Sequence, residues 1–260
     1  MQNLNIEFYV FSGTGNTKLI ADKIGERFVE RGHSVNFHKI EESTVCSLRD
    51  NSVLGIAFPV AFFTSYPVVL DFFDSLPRGN GRKVFMMATM GGSGMGLERY
   101  FKKLVKKKGY IPIGSELFLM PGNYNNTSIP IEKNKKMTAE ALIKADAYAD
   151  KLLDGSAFWS NGIPLLSSMW NWFMRSGMAI KLFYYMFPIK VDNLKCIKCM
   201  RCFENCPVHA IYIGNGFPVI NKERCQSCQR CVAFCPSNAI CIENKKAEQY
   251  RAMEHEEFNL

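Results

Sequence analysis

The C-terminal quarter of the chain contains one cysteine pattern twice, and this pattern restricts the possible folds more than any other feature. Cys-x-x-Cys-x-x-Cys-x-x-x-Cys-Pro spans residues 196–207 and recurs over residues 225–236, with each cysteine 29 residues after its counterpart. A cubane [4Fe–4S] cluster has four iron corners, and each corner takes one thiolate ligand. Eight thiolates at this spacing therefore predict two cubane clusters.

The order of the cysteines also predicts how they divide between the clusters. Three cysteines two residues apart can wrap one loop around three corners, and in a two-cluster arrangement the fourth ligand comes from the other repeat. The first predicted set is Cys196, Cys199, Cys202 and Cys235. The second predicted set is Cys225, Cys228, Cys231 and Cys206. The other two cysteines, Cys46 and Cys241, are expected to be free thiols.

Zinc ribbons and disulfide frameworks also use closely spaced cysteines. Zinc sites usually take four ligands from two Cys-x-x-Cys pairs and do not need a third and fourth cysteine at this density. Disulfides suit small secreted domains, and the sequence shows no secretory signal. The pattern therefore favours clusters over both alternatives.

The repetition extends beyond the cysteines. Residues 206–213, Cys-Pro-Val-His-Ala-Ile-Tyr-Ile, match residues 235–242, Cys-Pro-Ser-Asn-Ala-Ile-Cys-Ile, and Arg201 matches Arg230. Each half is predicted to form a ligand loop, a short helix and a short strand, with a turn at residues 214–216. This region resembles the bacterial 2[4Fe–4S] ferredoxin fold, which implies a small α+β domain over residues 191–245.

The N-terminal part carries a second kind of cofactor signal. Residues 4–11 form an apolar run typical of a buried strand, Ser-Gly-Thr-Gly-Asn-Thr follows at 12–17, and an amphipathic helix is predicted over residues 18–30. Backbone N–H groups at a helix N-terminus favour an anion, and the hydroxyls of the loop add donors. The loop has no lysine, so it is not a nucleoside triphosphatase P-loop, and it lacks the third glycine of a dinucleotide fingerprint.

The loop at residues 12–17 resembles the flavodoxin phosphate loop, which holds the 5′-phosphate of FMN. Two more predicted strands, residues 52–58 and 82–89, run into loops that would meet the first loop at the C-terminal edge of a parallel sheet. The resemblance implies that FMN binds among these three loops. The residues expected to contact it are Ser12, Gly13, Thr14, Gly15, Asn16, Thr17, Pro59, Val60, Ala61, Phe62, Phe63, Thr89, Met90, Gly91, Gly92, Ser93 and Gly94.

The second of these loops departs from the flavodoxin pattern. Many relatives carry a large aromatic residue there that stacks on the flavin, whereas Ala61 stands at that position in this chain. Phe62 and Phe63 either contact the flavin or belong to the core beneath the next helix. Tyr124, beyond the last predicted strand, either touches the flavin or caps a loop.

Alternation of helices and strands over residues 1–155 predicts a doubly wound, flavodoxin-like α/β domain with a parallel sheet. Further helices are expected at residues 66–74, 98–108 and 131–153, and a fifth strand at 116–120. An aromatic-rich connector follows at 156–190, and a charged tail, mobile or helical, ends the chain at 246–260.

The connector contains all three tryptophans of the chain. Charged residues interrupt it, and no uncharged run reaches the ~20 residues that a spanning helix needs, so no transmembrane segment is predicted. We expect an amphipathic connector that packs against the two domains. Contact of residues 159–188 with a membrane surface or with a partner protein are the alternatives.

The formal charge of +8 does not by itself indicate nucleic acid. Each oxidised cluster with its thiolates would contribute roughly −2, and a flavin phosphate nearly −2, which leaves the holoprotein close to neutral. The basic residues near 99–108 are expected to form a solvated helix end or to attract an acidic electron-transfer partner.

Taken whole, the chain resembles the flavodoxin–ferredoxin fusion proteins of anaerobic microbes. That resemblance implies FMN and two [4Fe–4S] clusters in a reducing cytoplasm, with redox proteins as donor and acceptor. An electron carrier is the favoured function, because no catalytic residues stand out. A flavin-dependent oxidoreductase that acts on a small molecule is the alternative, and a redox sensor or assembly factor is a third reading. Pairing of flavin and clusters between two chains of a homodimer is also left open.

Overall fold

A computed structural model describes residues 3–43, 48–49, 51–94, 96–123, 131–161, 182, 185–243 and 250–258. The N-terminal part is built on a parallel five-stranded sheet with the strand order β2-β1-β3-β4-β5. Its strands are β1 (Asn5–Val10), β2 (Ser34–Lys39), β3 (Val53–Pro59), β4 (Lys83–Met90) and β5 (Ile111–Leu119). This order is that of a flavodoxin-like fold and confirms the predicted doubly wound sheet.

Four helices cover the two faces of the sheet, and a 3-10 turn (Ile40–Glu42) follows β2. The helices are α1 (Asn16–Glu30), α2 (Pro67–Ser75), α3 (Leu97–Lys107) and α4 (Ile131–Asp154). Helices α1 and α4 share one apolar core with the sheet, and α2 and α3 share the other. Both faces of the central strands are therefore buried, which explains why β1 and β3 read as nearly continuous apolar runs.

Close packing of aromatic rings fixes one backbone position in the sheet. A side chain at Gly55 on β3 would lie 2.5 Å from the ring of Phe85 and 2.7 Å from the ring of Phe8. These two rings meet edge to face with their centroids 5.1 Å apart. Glycine at this position lets both rings fill the core above the sheet.

Strand β5 begins five residues earlier than the predicted strand, at Ile111 rather than at residue 116. It pairs only with β4, so Pro112 lies on an edge where a missing N–H is tolerated. The start of the predicted connector packs beside it: Ser115 N–H donates to the carbonyl of Phe158 at 3.2 Å. Trp159 is buried, and its indole donates to the carbonyl of Glu98 at 2.8 Å.

The C-terminal part contains two small antiparallel sheets. Strand β6 (Ile189–Val191) pairs with β9 (Ile240–Ile242), and β7 (Ile211–Gly214) pairs with β8 (Phe217–Ile220). Helices α5 (Arg201–Glu204) and α6 (Arg230–Ala233) follow the cysteine loops, and α7 (His255–Phe258) lies in the tail. The predicted turn closes the β7–β8 hairpin through Asn215 and Gly216, both at positive φ.

Two predictions concern the cysteines that were not assigned to a cluster. Cys241 lies on β9 and is exposed, while Cys46 falls outside the described residues. Much of the connector, residues 162–181 and 183–184, also falls outside them. Among the helices that are described, none has the length and apolar character needed to traverse a lipid bilayer.

Candidate functional site

A cavity of about 300 Å³ opens at the C-terminal edge of the parallel sheet, where the predicted loops meet. Ten of the residues predicted from the sequence line it: Ser12, Gly13, Thr14, Asn16, Thr17, Pro59, Val60, Thr89, Met90 and Gly91. Seven more complete the wall: Tyr66, Met120, Pro121, Gly122, Asn123, Met137 and Cys228. We call this space the phosphate-loop cavity, after the loop at residues 12–17.

Two hydroxyl groups of the phosphate loop are buried and unpaired. Among the described residues, Ser12 Oγ and Thr14 Oγ1 have no hydrogen-bond partner. A buried polar atom without a partner is costly, and native structures rarely leave one. Gly15, in the left-handed region at φ 97°, begins α1 directly after these hydroxyls. Because a helix N-terminus favours anions, the loop fits a phosphate group.

Asn16 and Thr17 of the same loop have other partners. Asn16 Nδ2 donates to the carbonyl of Pro121 at 2.9 Å, and the hydroxyls of Thr17 and Thr89 lie 2.8 Å apart. These bonds join the first loop to the ends of β4 and β5. Asn16 and Thr17 therefore hold the cavity walls together, a role that the sequence analysis did not predict.

The structure keeps several other predicted residues away from the cavity wall: Gly15, Ala61, Phe62, Phe63, Gly92, Ser93 and Gly94. Ala61 and Thr64 exchange two backbone hydrogen bonds of 3.0 Å and close a tight turn. Phe62 and Phe63 occupy the centre of this turn at φ 47° and 62°. The turn directs the Phe62 ring to Phe187, with centroids 6.2 Å apart. Tyr124 lies outside the described residues.

The cavity wall includes side chains that sequence reasoning missed. Tyr66 was predicted only as the start of a helix, and Met120 only as the end of a strand. Met137 projects from α4, which is far from the phosphate loop along the chain. Strand order places Tyr66 and Met120 at the correct edge, but no local signal identifies Met137.

The first cysteine loop, which we define as residues 194–202, lies beside the proline-ended segment of the second repeat. Cys196, Cys199, Cys202 and Cys235 line one small cavity together. Burial, together with repulsion from the nearby cysteines, raises the pKa of the Cys202 thiol to about 11. The backbone N–H of Ala239 donates to Cys235 Sγ at 3.3 Å, as expected for a position that carries negative charge.

The second cysteine loop, residues 223–231, is arranged in the same way with the first repeat. Burial raises the pKa of Cys228 to about 12, the charge of Arg230 opposes this, and Cys206 and Cys225 add repulsion. The N–H of Ala210 donates to Cys206 Sγ at 3.2 Å, which matches the bond at Cys235. Since metal binding displaces thiol protons, iron uptake at both sites is expected to strengthen as pH rises.

Among the described residues, no three His, Cys, Asp or Glu side chains converge closely enough to hold a single metal ion. In a cubane each thiolate binds a different iron, so its ligands stand farther apart than those of one ion. The two cysteine groups supply the thiolate ligands that iron–sulfur clusters take.

The second cysteine loop packs directly on the phosphate loop. A side chain at Gly13 would lie 2.2 Å from the carbonyl oxygen of Cys228, so glycine permits this approach. Gln226 accepts a hydrogen bond of 3.2 Å from the N–H of Val68, at the start of α2. Cys228 consequently belongs both to the second cysteine group and to the wall of the phosphate-loop cavity.

Arg230 secures this contact from inside the interface. Its guanidinium donates to the carbonyl of Ser12 at 2.7 and 3.0 Å and forms an ion pair with Glu41. The group lies between the rings of Phe11 and Phe258, at 5.4 and 5.0 Å from their centroids. Sequence matching had paired Arg230 with Arg201 but gave no sign of this role.

The C-terminal tail covers the outer side of the phosphate loop. Ala252 N–H donates to the carbonyl of Thr14 at 2.8 Å, and the Tyr250 hydroxyl bonds to Asn16 Oδ1 at 2.6 Å. Met253 lies against Gly15, and Phe258 packs on Phe234 with centroids 4.5 Å apart. The tail was predicted to be mobile or helical; His255–Phe258 form the short helix α7, and these contacts fasten the tail to both halves of the chain.

Comparison with known protein families finds a match for the C-terminal part of the chain. Residues 195–239 match the model of a 4Fe-4S dicluster domain. A search of curated proteins gives no match.

Solved structures resemble part of the chain. They include a flavodoxin from the domain Archaea (15% identity, 58% of this chain and 99% of that one, TM-score 0.42). The NAD(P)H:quinone oxidoreductase from Methanothermobacter marburgensis matches at 10% identity over 58% of this chain and 100% of its own, with a TM-score of 0.43. The two-electron reduced flavodoxin of Megasphaera elsdenii matches at 25% identity, 54% and 98% coverage, and a TM-score of 0.41.

The fold of the N-terminal part is defined by its own strand order and parallel register rather than by these likenesses. The chemistry of the C-terminal part is defined by its match and its cysteine pattern. The chain therefore joins a domain of flavodoxin-like fold to a 4Fe-4S dicluster domain, as the resemblance to flavodoxin–ferredoxin fusions had implied.

Proposed function

We propose that this protein carries electrons between two [4Fe–4S] clusters and an FMN bound in the phosphate-loop cavity. The observation that carries the proposal is the position of Cys228. This residue lines the cavity, and it also belongs to the second cysteine group. A cluster held there would adjoin a flavin held by the phosphate loop.

The cavity supports FMN in three respects. Its volume of about 300 Å³ lies within the range of small-molecule sites. Ser12 Oγ and Thr14 Oγ1 would donate to the phosphate, which would satisfy two buried atoms that otherwise lack partners in the described structure. The wall opposite the phosphate loop is largely apolar, with Val60, Tyr66 and Met90 available to enclose the ring system.

The cysteine groups support two clusters with interleaved ligands. Cys235 lies with the first three cysteines, and Cys206 lies close enough to Cys225 and Cys228 to affect their pKa values. When bound, each cluster exchanges one electron, and FMN exchanges one or two. The protein holds the thiolates in a partly buried setting, donates N–H groups to Cys206 and Cys235, and fixes the second loop against Gly13.

The composition of the cavity wall favours a carrier over an enzyme. Among the described residues that line it, there is no histidine, carboxylate, lysine or arginine. General acid–base catalysis on a small molecule usually needs such a group within hydrogen-bond reach. An oxidoreductase that transfers hydride without a protein acid or base is the second candidate, supported by the opening of the cavity at the edge of the sheet.

An anaerobic reductive titration tests the proposed function. Protein reconstituted with iron, sulfide and FMN is reduced stepwise with dithionite while flavin and cluster absorbance are followed together. We expect roughly four electrons per chain, one for each cluster and two for FMN. Uptake of two electrons by flavin alone, with no cluster signal, would contradict the proposal.

A further inference from the structure

The first cysteine loop carries large apolar side chains at the surface. Leu194 is 99% exposed and Ile197 63%, and Phe203, one residue beyond the loop, is 46% exposed. Cys199, between them, is also exposed. Apolar groups that gather within ten residues mark a contact site more often than isolated ones do.

The corresponding positions of the second loop contact the flavodoxin-like domain and the end of the connector. Gln226 accepts from Val68 N–H, Ser227 donates to the carbonyl of Phe187, and Arg230 donates to that of Ser12. Their counterparts, 29 residues earlier, are Ile197, Lys198 and Arg201. The edge of the loop that is covered in the second repeat is therefore open to solvent in the first.

The open edge is bordered by positive charge. Lys195 has a carboxylate oxygen of Asp192 at 3.6 Å, and Arg201 has one of Glu256 at 3.9 Å, both too long for strong hydrogen bonds. Lys198 lies over the ring of Phe217, 4.4 Å from its centroid. Glu204 is an exposed acid of the same segment. Lys195 and Arg201 thus have only long ion pairs among the described residues, and together with the exposed Lys198 they offer positive charge to a partner that carries carboxylates.

We propose that Leu194, Lys195, Ile197, Lys198, Arg201 and Phe203 form the docking surface for a one-electron redox protein with an apolar patch bordered by carboxylates. We call this surface the first-loop face. The inference rests on the proposed function, because it supplies the route by which electrons enter or leave the chain. One electron passes between the partner and the cluster held by the first cysteine group; one side is oxidised and the other reduced, and no bond or proton changes.

The first-loop face is tested by placing residues of the second loop at the matching positions of the first loop. Ile197→Gln with Lys198→Ser introduces the residues that stand at the same positions of the second loop, so a cluster-binding loop accepts them. The matched control is Ile143→Gln with Lys133→Ser, two exposed positions on α4 of the flavodoxin-like domain. Both double variants lose one apolar side chain and one charge.

Rubredoxin, a small acidic electron-transfer protein, serves as the probe. Binding of its redox-inert zinc form to the full-length, cofactor-loaded protein is measured by calorimetry at low and high salt. We expect the loop variant to bind roughly tenfold more weakly at low salt, the control to change less than about twofold, and the difference to shrink at high salt. The rate of reduction of iron(III) rubredoxin by the pre-reduced protein should fall in parallel.

Equal binding by wild type and the loop variant would overturn the inference. So would sedimentation that shows a wild-type dimer lost in the loop variant, because the occupant would then be a second copy of this chain. Variant-sensitive binding to vesicles with anionic lipids would likewise overturn it in favour of a membrane surface.

Reduction of the bound cofactors by dithionite separates this inference from the proposed function. If flavin and clusters are reduced together in wild type and in the loop variant, while rubredoxin binds both equally, only the docking inference fails. If clusters and flavin do not exchange electrons in wild type, the proposed function itself fails.

Discussion

The two cysteine loops share one spacing but occupy opposite environments. The second loop buries polar residues inside the protein: Ser227 is 0% exposed, and Gln229 and Arg230 are nearly as buried. The first loop exposes Leu194 and Ile197. Polar side chains are inside and apolar ones outside, which reverses the usual distribution. The difference indicates that the second loop binds another part of the same chain, whereas the first loop presents its surface to a separate protein.

The largest expected effect comes from removing the counterpart cysteines Cys199 and Cys228. Either change to alanine should lower iron from about eight to about four atoms per chain, because each removes one ligand of one cluster. Only Cys228→Ala should also stop rapid electron exchange with FMN, since Cys228 lines the phosphate-loop cavity. Iron analysis and stopped-flow absorbance check both statements. Slow exchange in Cys199→Ala with normal exchange in Cys228→Ala would reverse the assignment of the loops.

The next largest effect is a difference in stability between substitutions of Arg230 and of Arg201, its counterpart in the first repeat. Arg230→Ala should destabilise the protein by about 3–5 kcal/mol, because it leaves Glu41 buried without its partner. Arg201→Ala should cost less than about 1 kcal/mol, since its nearest carboxylate belongs to an exposed residue at 3.9 Å. Denaturant unfolding of the cofactor-loaded protein measures both. Arg230→Lys keeps the charge but not the paired bonds to Ser12, and should fall between them. Equal costs for Arg230→Ala and Arg201→Ala would show that the buried contact is not stabilising.

Substitutions at two glycines of the flavodoxin-like domain test the contact between the second cysteine loop and the phosphate loop. Gly13→Ala should cost about 1–3 kcal/mol and slow exchange between flavin and clusters, because the new methyl group meets the backbone of the second loop. Gly92→Ala is the control, since its added carbon would meet no atom within 4 Å in the described part of the chain apart from its own two neighbours. Denaturant midpoints and stopped-flow traces of the two variants are compared. Identical behaviour would mean that the loops do not touch in solution.

The smallest expected effect concerns the tail. Tyr250→Phe removes one hydrogen bond to Asn16 and should weaken FMN binding by at most about tenfold, consistent with roughly 1 kcal/mol. Tyr212→Phe, at an exposed tyrosine of the first repeat, should leave FMN affinity unchanged. Flavin fluorescence measures both dissociation constants. A larger loss in Tyr212→Phe than in Tyr250→Phe would show that the tail does not support the phosphate loop.

Much of this arrangement could be predicted from local sequence. Strand-loop-helix order predicted that the loop at residues 12–17 lies at the C-terminal edge of the sheet, where it lines the phosphate-loop cavity. The cysteine pattern predicted that Cys235 accompanies the first three cysteines, and these four residues line one cavity. Both features depend on spacing within short segments. Backbone chemistry also predicted the turn at Asn215 and Gly216, because that dipeptide adopts positive φ readily.

The missed features depend on contacts between distant parts of the chain. Arg230 and Ser12 are 218 residues apart, and Tyr250 and Asn16 are 234 apart. Arg201 and Arg230 occupy the same position in the two repeats. The local sequence therefore does not indicate which of the two cysteine loops packs on the phosphate loop. Gly13 was predicted to contact FMN, and it lines the phosphate-loop cavity, but its close approach to the carbonyl of Cys228 has no local signal in the sequence.

The most direct test of the central claim is the kinetic order of electron exchange between flavin and clusters. A flash photoreduction delivers single electrons to anaerobic, fully loaded protein, and the later flavin and cluster absorbance changes are followed over a tenfold range of protein concentration. Because the second loop packs on the phosphate loop of the same chain, we predict a first-order rate that does not depend on protein concentration. A rate proportional to protein concentration would show that electrons pass between chains and would contradict it.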